Sequence, residues 1–355
     1  MIWIFFICLA ALVLLLQRKL AGFTLERLQY RTECDRLLAE PDEPVTLRTQ
    51  IDNHGLLPVL YFRLLTTLPA GAVLHGDPQW VQDHVRARPL ETCVEEIGSL
   101  LPRRRRVSTL RVSLPKRGWY PMGSAAVCVG DFLGLREAVR REEARSEVVV
   151  IPRLIETPAL LRTLGGFLGD VSVRRFILED PILTAGFREY TGREPMKNIS
   201  WPQSARSGRL LVKQFDYTTD WNVTVLLNTF GGTAADLEQC YCLTRTVCQV
   251  LERKGIPYAF ATNGDLSGPM GFLSHLAEGL GPQHLNTILY GLGRAKGRCR
   301  FSFGELAAQV LRDRRTGKSF ILITPPLTAS GQRTAEQLRS ASGSLCLLVG
   351  QEVSE

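Results

Sequence analysis

The sequence has little of what metal, redox and hydrolytic chemistry requires. Its 355 residues include five histidines and nine cysteines, and no two cysteines form a CxxC pair. Tetrahedral thiolate sites need convergent ligands at characteristic spacings, so a metal centre of that kind is not expected. No GxSxG motif and no Walker-type lysine loop occurs either. Ser204 and Ser207 have no histidine near them in the chain, so no nucleophile with its base can be assigned.

Aromatic side chains make up only 8% of the chain and do not interleave with the basic residues. A base-stacking surface for nucleic acid therefore has no support. The net charge of +8 fits an anionic partner or, equally, a solvated basic surface. A hydrophobic content of 45% is enough for a sizeable core, and the length predicts two or three domains. Scattered cysteines in odd number are typical of a reducing compartment.

The first 16 residues contain no charged side chain and are followed by Gln17, Arg18 and Lys19. This pattern predicts a transmembrane anchor over residues 1–23, if the basic side chains reach the headgroups. A cleaved signal peptide is the rival interpretation, but its positive charges would precede the apolar run. The positive-inside rule predicts a single-pass protein of the cell membrane with the bulk of the chain in the cytoplasm.

Short alternating segments predict an antiparallel β-sandwich over residues 24–155. Its predicted strands are 44–51, 59–68, 94–101, 107–114, 125–129 and 148–151. The arginine run at 103–106 could contact anionic lipid or form a solvated cluster at a strand edge. Residues 156–215 form a connecting segment. Over residues 216–355 strands and helices alternate, which predicts a doubly wound, mainly parallel α/β domain.

Two stretches carry a resemblance. The first is Lys116-Arg117-Gly118-Trp119-Tyr120 with Asp131-Phe132-Leu133-Gly134-Leu135. The second, called the hallmark segment below, is residues 188–210, with Arg188-Glu189-Tyr190, Glu194-Pro195-Met196-Lys197, Ile199, Trp201, Ser204-Ala205-Arg206 and Leu210. Both resemble a bacterial family catalogued as domain of unknown function 58. The resemblance implies a membrane-anchored protein with a β-rich region, a von Willebrand factor A-like domain and a MoxR-type AAA+ ATPase as partner.

The hallmark segment is the predicted partner-binding site. Its candidate residues are Arg188, Glu189, Tyr190, Glu194, Lys197, Trp201 and Arg206. Charged groups around one tryptophan could form a bonded network that positions the following strand, or a docking surface for an acidic partner. We expect Trp201→Ala to lose folding, and Arg206→Glu to fold but lose partner contact.

In the α/β domain that the resemblance implies, the first strand ends in an Asp-x-Ser-x-Ser motif suited to a hard cation such as Mg²⁺. The corresponding positions here are Asn228, Phe230 and Gly232, an amide and two residues without a hydroxyl. This replacement predicts a degenerate site that binds no metal, and no other cofactor is expected.

These observations predict a membrane-anchored, non-enzymatic adaptor or assembly factor that works with the ATPase on a membrane or cell-envelope client and can form homo-oligomers. Two alternatives stay open. A metal-dependent hydrolase would use the loops around Asn228 and would bring His275, Asp265 and Glu194 into one cleft. A structural membrane protein would bind anionic membrane lipid through its basic face.

Overall fold

The structure is a computed structural model that describes residues 22–87, 92–130, 137–177, 179–192, 194–217, 223–268, 271–312, 319–342 and 344–351. The chain divides into two compact units. The first runs to Arg153 and also takes in Leu289–Ala295. The second holds Leu154–Ile288 and the chain from Lys296 onward.

The first unit is built from strands β1 to β12 and a short helix, α1. Their bounds are β1 Leu28–Cys34, β2 Leu38–Ala39, β3 Pro44–Asn53, β4 Val59–Leu68, β5 Val73–His75, α1 Pro78–His84, β6 Val85–Ala87, β7 Thr92–Leu100, β8 Arg105–Ser113, β9 Gly118–Met122, β10 Ala125–Gly130, β11 Glu137–Glu142 and β12 Ser146–Val150. Two larger sheets have the orders β1-β3-β8-β5 and β11-β10-β4-β7-β6, and a third has the order β2-β12-β9.

Alternating burial explains why these segments are strands. In β4 every second side chain from Phe62 to Leu68 is buried, because successive side chains of a strand point to opposite faces. Leu28 and Ile51 of the first large sheet share one core cluster with Phe62 and Val127 of the second. The two sheets therefore pack face to face, as in a β-sandwich.

The second unit contains strands β13 to β21 and helices α2 to α7, except that the residues of α5 from Leu289 onward belong to the first unit. Their bounds are α2 Pro158–Ile177, β13 Glu179–Glu189, α3 Trp201–Ser207, β14 Leu211–Tyr217, β15 Val223–Leu227, α4 Ala234–Arg253, β16 Tyr258–Thr262, β17 Ser267–Gly268, β18 Gly271–Phe272, β19 His275–Gly279, α5 Pro282–Arg294, α6 Phe303–Arg312, β20 Ser319–Thr324, α7 Ala329–Ala341 and β21 Ser344–Val349. A 3₁₀ turn, Met196–Asn198, precedes α3.

The main sheet of this unit has the order β19-β16-β15-β20-β21. Its strands are parallel except β19, which runs antiparallel to β16. All residues of β15 and β20 are buried, as expected for strands covered on both faces. The strand order reverses at β15, and open α/β sheets place ligand sites beyond the carboxyl ends of the strands at such a point.

The predicted combination of a transmembrane helix, a β-sandwich and a von Willebrand A-like α/β domain is wrong, although the first unit does pack two sheets as in a β-sandwich. The described chain is mostly sheet, and most of its strand pairs are antiparallel. A mixed five-stranded sheet occurs in the second unit, beside a separate antiparallel pair, β13 and β14.

The predicted anchor at residues 1–23 lies outside the described residues, apart from its last two positions. Among the residues that are described, no helix is both long and apolar enough to cross a membrane. The two longest helices, α2 and α4, have 20 residues each, and both carry charged side chains such as Arg162 and Arg245. The predicted single-pass location in the cell membrane is corrected accordingly.

Candidate functional site

The hallmark segment begins with the last residues of β13, and the chain then runs along β14 before it enters that strand. In β13, Arg188 pairs with Val212 and Glu189 with Leu211 of β14. The chain then turns through the 3₁₀ segment and comes back along the other edge of β14. There Ile199 bridges Val212, and Ser200 N donates to Leu211 O at 2.9 Å. This return places the start of α3 beside the start of β14.

A buried serine fixes α3 in this position. The Ser204 hydroxyl donates to Ser200 O at 2.8 Å and accepts from Leu211 N at 2.8 Å. It therefore satisfies a backbone donor of β14 that would otherwise be left unpaired at that edge. The helix ends at Gly208, whose φ of 68° is the left-handed conformation that glycine adopts readily. From the sequence, Ser204 was considered as a nucleophile and as part of the resembling stretch, and this structural role was missed.

The charged residues of the hallmark segment form separate ion pairs. Glu194 accepts from Arg188 Nη1 at 2.6 Å and from the backbone and hydroxyl of Thr191 at 3.1 and 2.8 Å. Hydrogen bonds from Thr191, with help from Arg188, lower the pKa of Glu194 to about 2. Glu189 accepts from Arg209 Nη1 at 2.6 Å. The carboxylates of Glu189 and Glu194 are therefore both already paired with arginines of the same segment.

Trp201 does not lie at the centre of these ion pairs. Its side chain is 59% exposed, and Met196 before it is 66% exposed. The expectation that Trp201→Ala loses folding is therefore corrected, since little buried area would be lost. Lys197 and Arg206 are also exposed, and Tyr190 is half-buried with its backbone N bonded to Leu210 O. The segment therefore presents its tryptophan to solvent.

At the carboxyl end of β15, Asn228 belongs to a buried network of neutral groups. Its Nδ2 donates to Thr324 Oγ1 at 2.9 Å, at the end of β20. Its Oδ1 accepts from Phe230 N at 3.0 Å and from Asn263 Nδ2 at 2.8 Å, at the end of β16. Asn263 Oδ1 in turn accepts from Thr229 N at 2.8 Å. Three neighbouring strands are tied together here without a charge.

This network bears on the three positions of the degenerate metal site. Asn228 is only 1% exposed, and both polar atoms of its amide are used internally. Phe230 points its ring to solvent, and Gly232 has a φ of 90° with no side chain to offer. Within the described part of the chain, no three His, Cys, Asp or Glu residues are grouped to hold a metal ion. That this site binds no metal stays a prediction.

A pocket of about 290 Å³ opens beside this network and is lined by Phe230, Phe303, Pro326 and Leu327, among others. The residues of the hydrolase alternative are engaged elsewhere. Asp265 accepts from Arg300 at 3.2 Å, and Glu194 is bound by Arg188. His275 lies on β19, paired with Ala261. The described residues therefore offer no acid–base pair at the pocket.

The other resembling stretch is only partly described. Trp119 lies on β9, and its Nε1 donates to Glu147 Oε2 at 2.6 Å. Tyr120 OH donates to Lys116 O at 2.9 Å. Both contacts are internal to the first unit and give this stretch a structural role. Residues 131–135 lie outside the described residues.

Comparisons with known proteins do not identify the chain. No family model and no curated protein matches it. Among solved structures, it is similar to the CARDB domain of a Pyrococcus furiosus protein at 12% identity, covering 35% of this chain and 91% of that one, with a TM-score of 0.21. A human ASH/PapD-like domain matches at 16% identity over 35% and 85%, with a TM-score of 0.22. A Vibrio harveyi GH20 exo-β-N-acetylglucosaminidase matches at 10% identity over 88% and 59%, with a TM-score of 0.21.

Likenesses of this strength carry no argument about function. No family model or curated protein supports domain of unknown function 58, a von Willebrand A-like domain or association with a MoxR-type ATPase, and no described helix could cross a membrane. The description of the chain as a membrane protein of that kind is corrected on these grounds. The resemblance in the hallmark segment and the partner it implies remain predictions from the residues alone.

Proposed function

We propose that the protein is a non-enzymatic adaptor or assembly factor that docks a protein partner on the hallmark segment. The observation that carries this proposal is the exposure of large apolar side chains there. Met196, Trp201 and Leu210 of the segment are all exposed, and so is Phe187 immediately before it. Exposed apolar side chains close together on a fixed element are typical of protein-interaction surfaces.

The backbone holds these side chains near the start of β14. Tyr190 N donates to Leu210 O, and Ser200 N donates to Leu211 O, so Ser200, the residue before Trp201, is held beside the start of β14, where Leu210 lies. Ser204 fastens α3 to the same point. A tryptophan on such a pinned element loses little conformational entropy when a partner covers it.

The charge around the apolar side chains indicates the chemistry of the partner. Residues 187–213 contain six cationic side chains and two acidic ones, which gives a net charge of +4. Both acids are paired within the segment, whereas Lys197 and Arg206 have no acidic partner within the described residues. The partner that fits is a protein segment with acidic residues flanking an apolar side chain. By resemblance, a MoxR-type AAA+ ATPase is the candidate that supplies it.

The test is binding of the purified full-length protein to a purified MoxR-type ATPase from the same source, measured by biolayer interferometry. Arg206→Glu and Trp201→Ala should each weaken binding by about tenfold or more, as expected for a central charge and an aromatic anchor. Arg333→Glu on the exposed face of α7 and Phe230→Ala at the other pocket are matched controls that should leave binding unchanged. Equal effects of test and control variants would refute the docking site.

A second readout separates the site from the identity of the partner. A photocrosslinking residue is placed at position 201 in cells, with and without Arg206→Glu. A crosslinked protein that is lost with Arg206→Glu but kept with Arg333→Glu supports docking even if it is not the ATPase. Absence of any crosslink that depends on Arg206 would contradict an adaptor function at this surface.

A further inference from the structure

The connection between β7 and β8 is a tight turn, and two of its four residues are arginine. Leu101, Pro102, Arg103 and Arg104 form it, and Arg104 N donates to Leu101 O at 3.2 Å. Proline at the second position suits the turn because its φ is fixed near the required value. Arg103, at the third position, has a φ of 56°. Type II turns require a positive φ there, and glycine or asparagine usually supplies it.

The positive φ at position 103 does not explain why the residue there is an arginine. The one other described non-glycine residue with positive φ is Asp42, a residue type that tolerates the left-handed region. A long side chain with a Cβ is strained there, and strained residues gather at functional positions. The turn therefore presents a cation where an uncharged residue would fold more easily.

The turn borders an open depression of about 580 Å³. Its lining residues are Asp52, Asn53, His54, Arg103, Arg104 and Arg105. The amide of Asn53 donates to Leu57 O at 2.9 Å and to the carbonyls of Leu100 and Leu101 at 3.4 and 3.3 Å, which fixes the end of β3 against the turn. The hydrogen bonds of Asn53 therefore hold in place the turn that carries Arg103 and Arg104.

The acid in the depression is already neutralised. Arg105 Nε donates to Asp52 Oδ1 at 2.7 Å, and Gln50 donates to Oδ2 at 2.6 Å. Desolvation alone would raise the pKa of Asp52, but these hydrogen bonds hold it below its ordinary value. Three arginines less one aspartate leave two positive charges, with His54 beside them. Arg103 and Arg104 have no acidic partner within the described residues.

We propose that this depression binds a dianionic phosphate group, as carried by a phosphomonoester or a diphosphate. Guanidinium groups are planar forks that donate two hydrogen bonds to one phosphate, and two unpaired arginines match a dianion in charge. Arg106, the fourth arginine of the run, stacks over Phe62 at 5.7 Å and does not line the depression. This site is separate from the hallmark segment and does not depend on the proposed adaptor function.

The test is calorimetric titration of the full-length protein with inorganic pyrophosphate. Arg103→Asn removes the charge but suits the positive φ, so it should weaken binding by about tenfold while the melting temperature is unchanged or higher. Arg104→Gln should weaken binding similarly. The matched control is the pair Arg48→Gln and Arg141→Gln, two exposed arginines on β3 and β11 that do not line the depression, and it should leave binding unchanged.

Vesicles that contain phosphatidic acid, compared with vesicles of phosphatidylcholine alone, show whether a soluble molecule or a lipid carries the phosphate. Binding of either probe that Arg103→Asn lowers supports the site. The proposal is overturned if neither probe binds the parent protein, or if the control pair weakens binding as much as Arg103→Asn and Arg104→Gln do.

Discussion

Ser204 and Ser207 are the same residue type on one turn of α3, yet the fold uses them differently. Ser204 is buried and bonds both its own helix and β14, whereas Ser207 is exposed and donates only to carbonyls of nearby residues. Ser204→Ala leaves Leu211 N unpaired and should lower the free energy of unfolding by about 1–3 kcal/mol. Ser207→Ala should change it by less than about 0.5 kcal/mol. Urea unfolding of both variants measures this, and equal losses would contradict the role given to Ser204.

Replacement of Asn228 by Asp changes the side-chain NH2 group, a hydrogen-bond donor, into a carboxylate oxygen, an acceptor. Asn228→Asp restores the carboxylate of the metal motif but places a charge where Oδ1 and Nδ2 now share three hydrogen bonds with neutral groups. It also replaces the donor to Thr324 by an acceptor. We expect the free energy of unfolding at pH 7 to fall by about 2 kcal/mol or more.

The pH dependence of that variant follows from the sign of its pKa shift. Burial raises the pKa of Asp in the folded state above its unfolded value of about 3.9, so the loss of stability is present at neutral pH and shrinks as pH falls toward about 4. Denaturant unfolding at pH 4 and pH 7 measures it. Addition of Mg²⁺ should not restore stability, because positions 230 and 232 supply no hydroxyl. Rescue by Mg²⁺ would show that the cation site is still competent.

At the level of elements, strong patterns were predictable from the sequence and weak ones were not. Strand β4 has the predicted bounds, and the capping box of Thr233 and Asp236 begins α4 within the stretch where strands and helices were expected to alternate. Strand β11, in contrast, is an edge strand with the sequence EAVRRE, and it has no apolar face to recognise. Edge strands are held by their backbone pairing, which leaves little trace in the sequence.

The two candidate sites show the same limit. Asn228 was identified from the sequence, but its partner Asn263 was not, since only the pairing of β15 with β16 brings the two strand ends together. Trp201 was expected to lie among the charged groups and to be needed for folding, and the short helix α3 instead exposes it to solvent. The pairing of distant strands and the choice of which side of a short helix is exposed are tertiary properties. Neither produces a periodic pattern in the sequence.

The loop between β15 and α4 offers an element-scale test with its own control. Gly231 and Gly232 both have positive φ, at 78° and 90°. A Cβ at position 231 would meet nothing within 4 Å, whereas one at position 232 would lie 2.5 Å from Pro325 Cβ. Gly231→Ala should therefore cost only the backbone term of about 1 kcal/mol, and Gly232→Ala should cost clearly more. Chemical unfolding compares the two, and a larger cost at position 231 would contradict the described loop.

At the level of the whole molecule, the cysteines behave as parts of two cores. None of the eight described cysteines forms a disulfide, and six of them are buried: Cys93, Cys128, Cys240, Cys242, Cys248 and Cys346. Cys240 and Cys248 have their pKa raised to about 12 by burial, and that of half-buried Cys34 is raised to about 11 by the same cause. Because the thiolate is the reactive form, these thiols should be inert in the folded protein.

This distribution makes thiol labelling a readout of global unfolding. Cys299 is the one exposed thiol among the described cysteines, so under native conditions a maleimide should modify its peptide first, as measured by mass spectrometry. The six buried thiols should react only at the rate of unfolding, so their labelling should rise together with urea within each unit. Cys299→Ser should remove the fast modification of that peptide and leave the slow ones unchanged. Fast native labelling of Cys240 or Cys248 would contradict the burial of these two residues of α4, and with it the packing of α4 against β15.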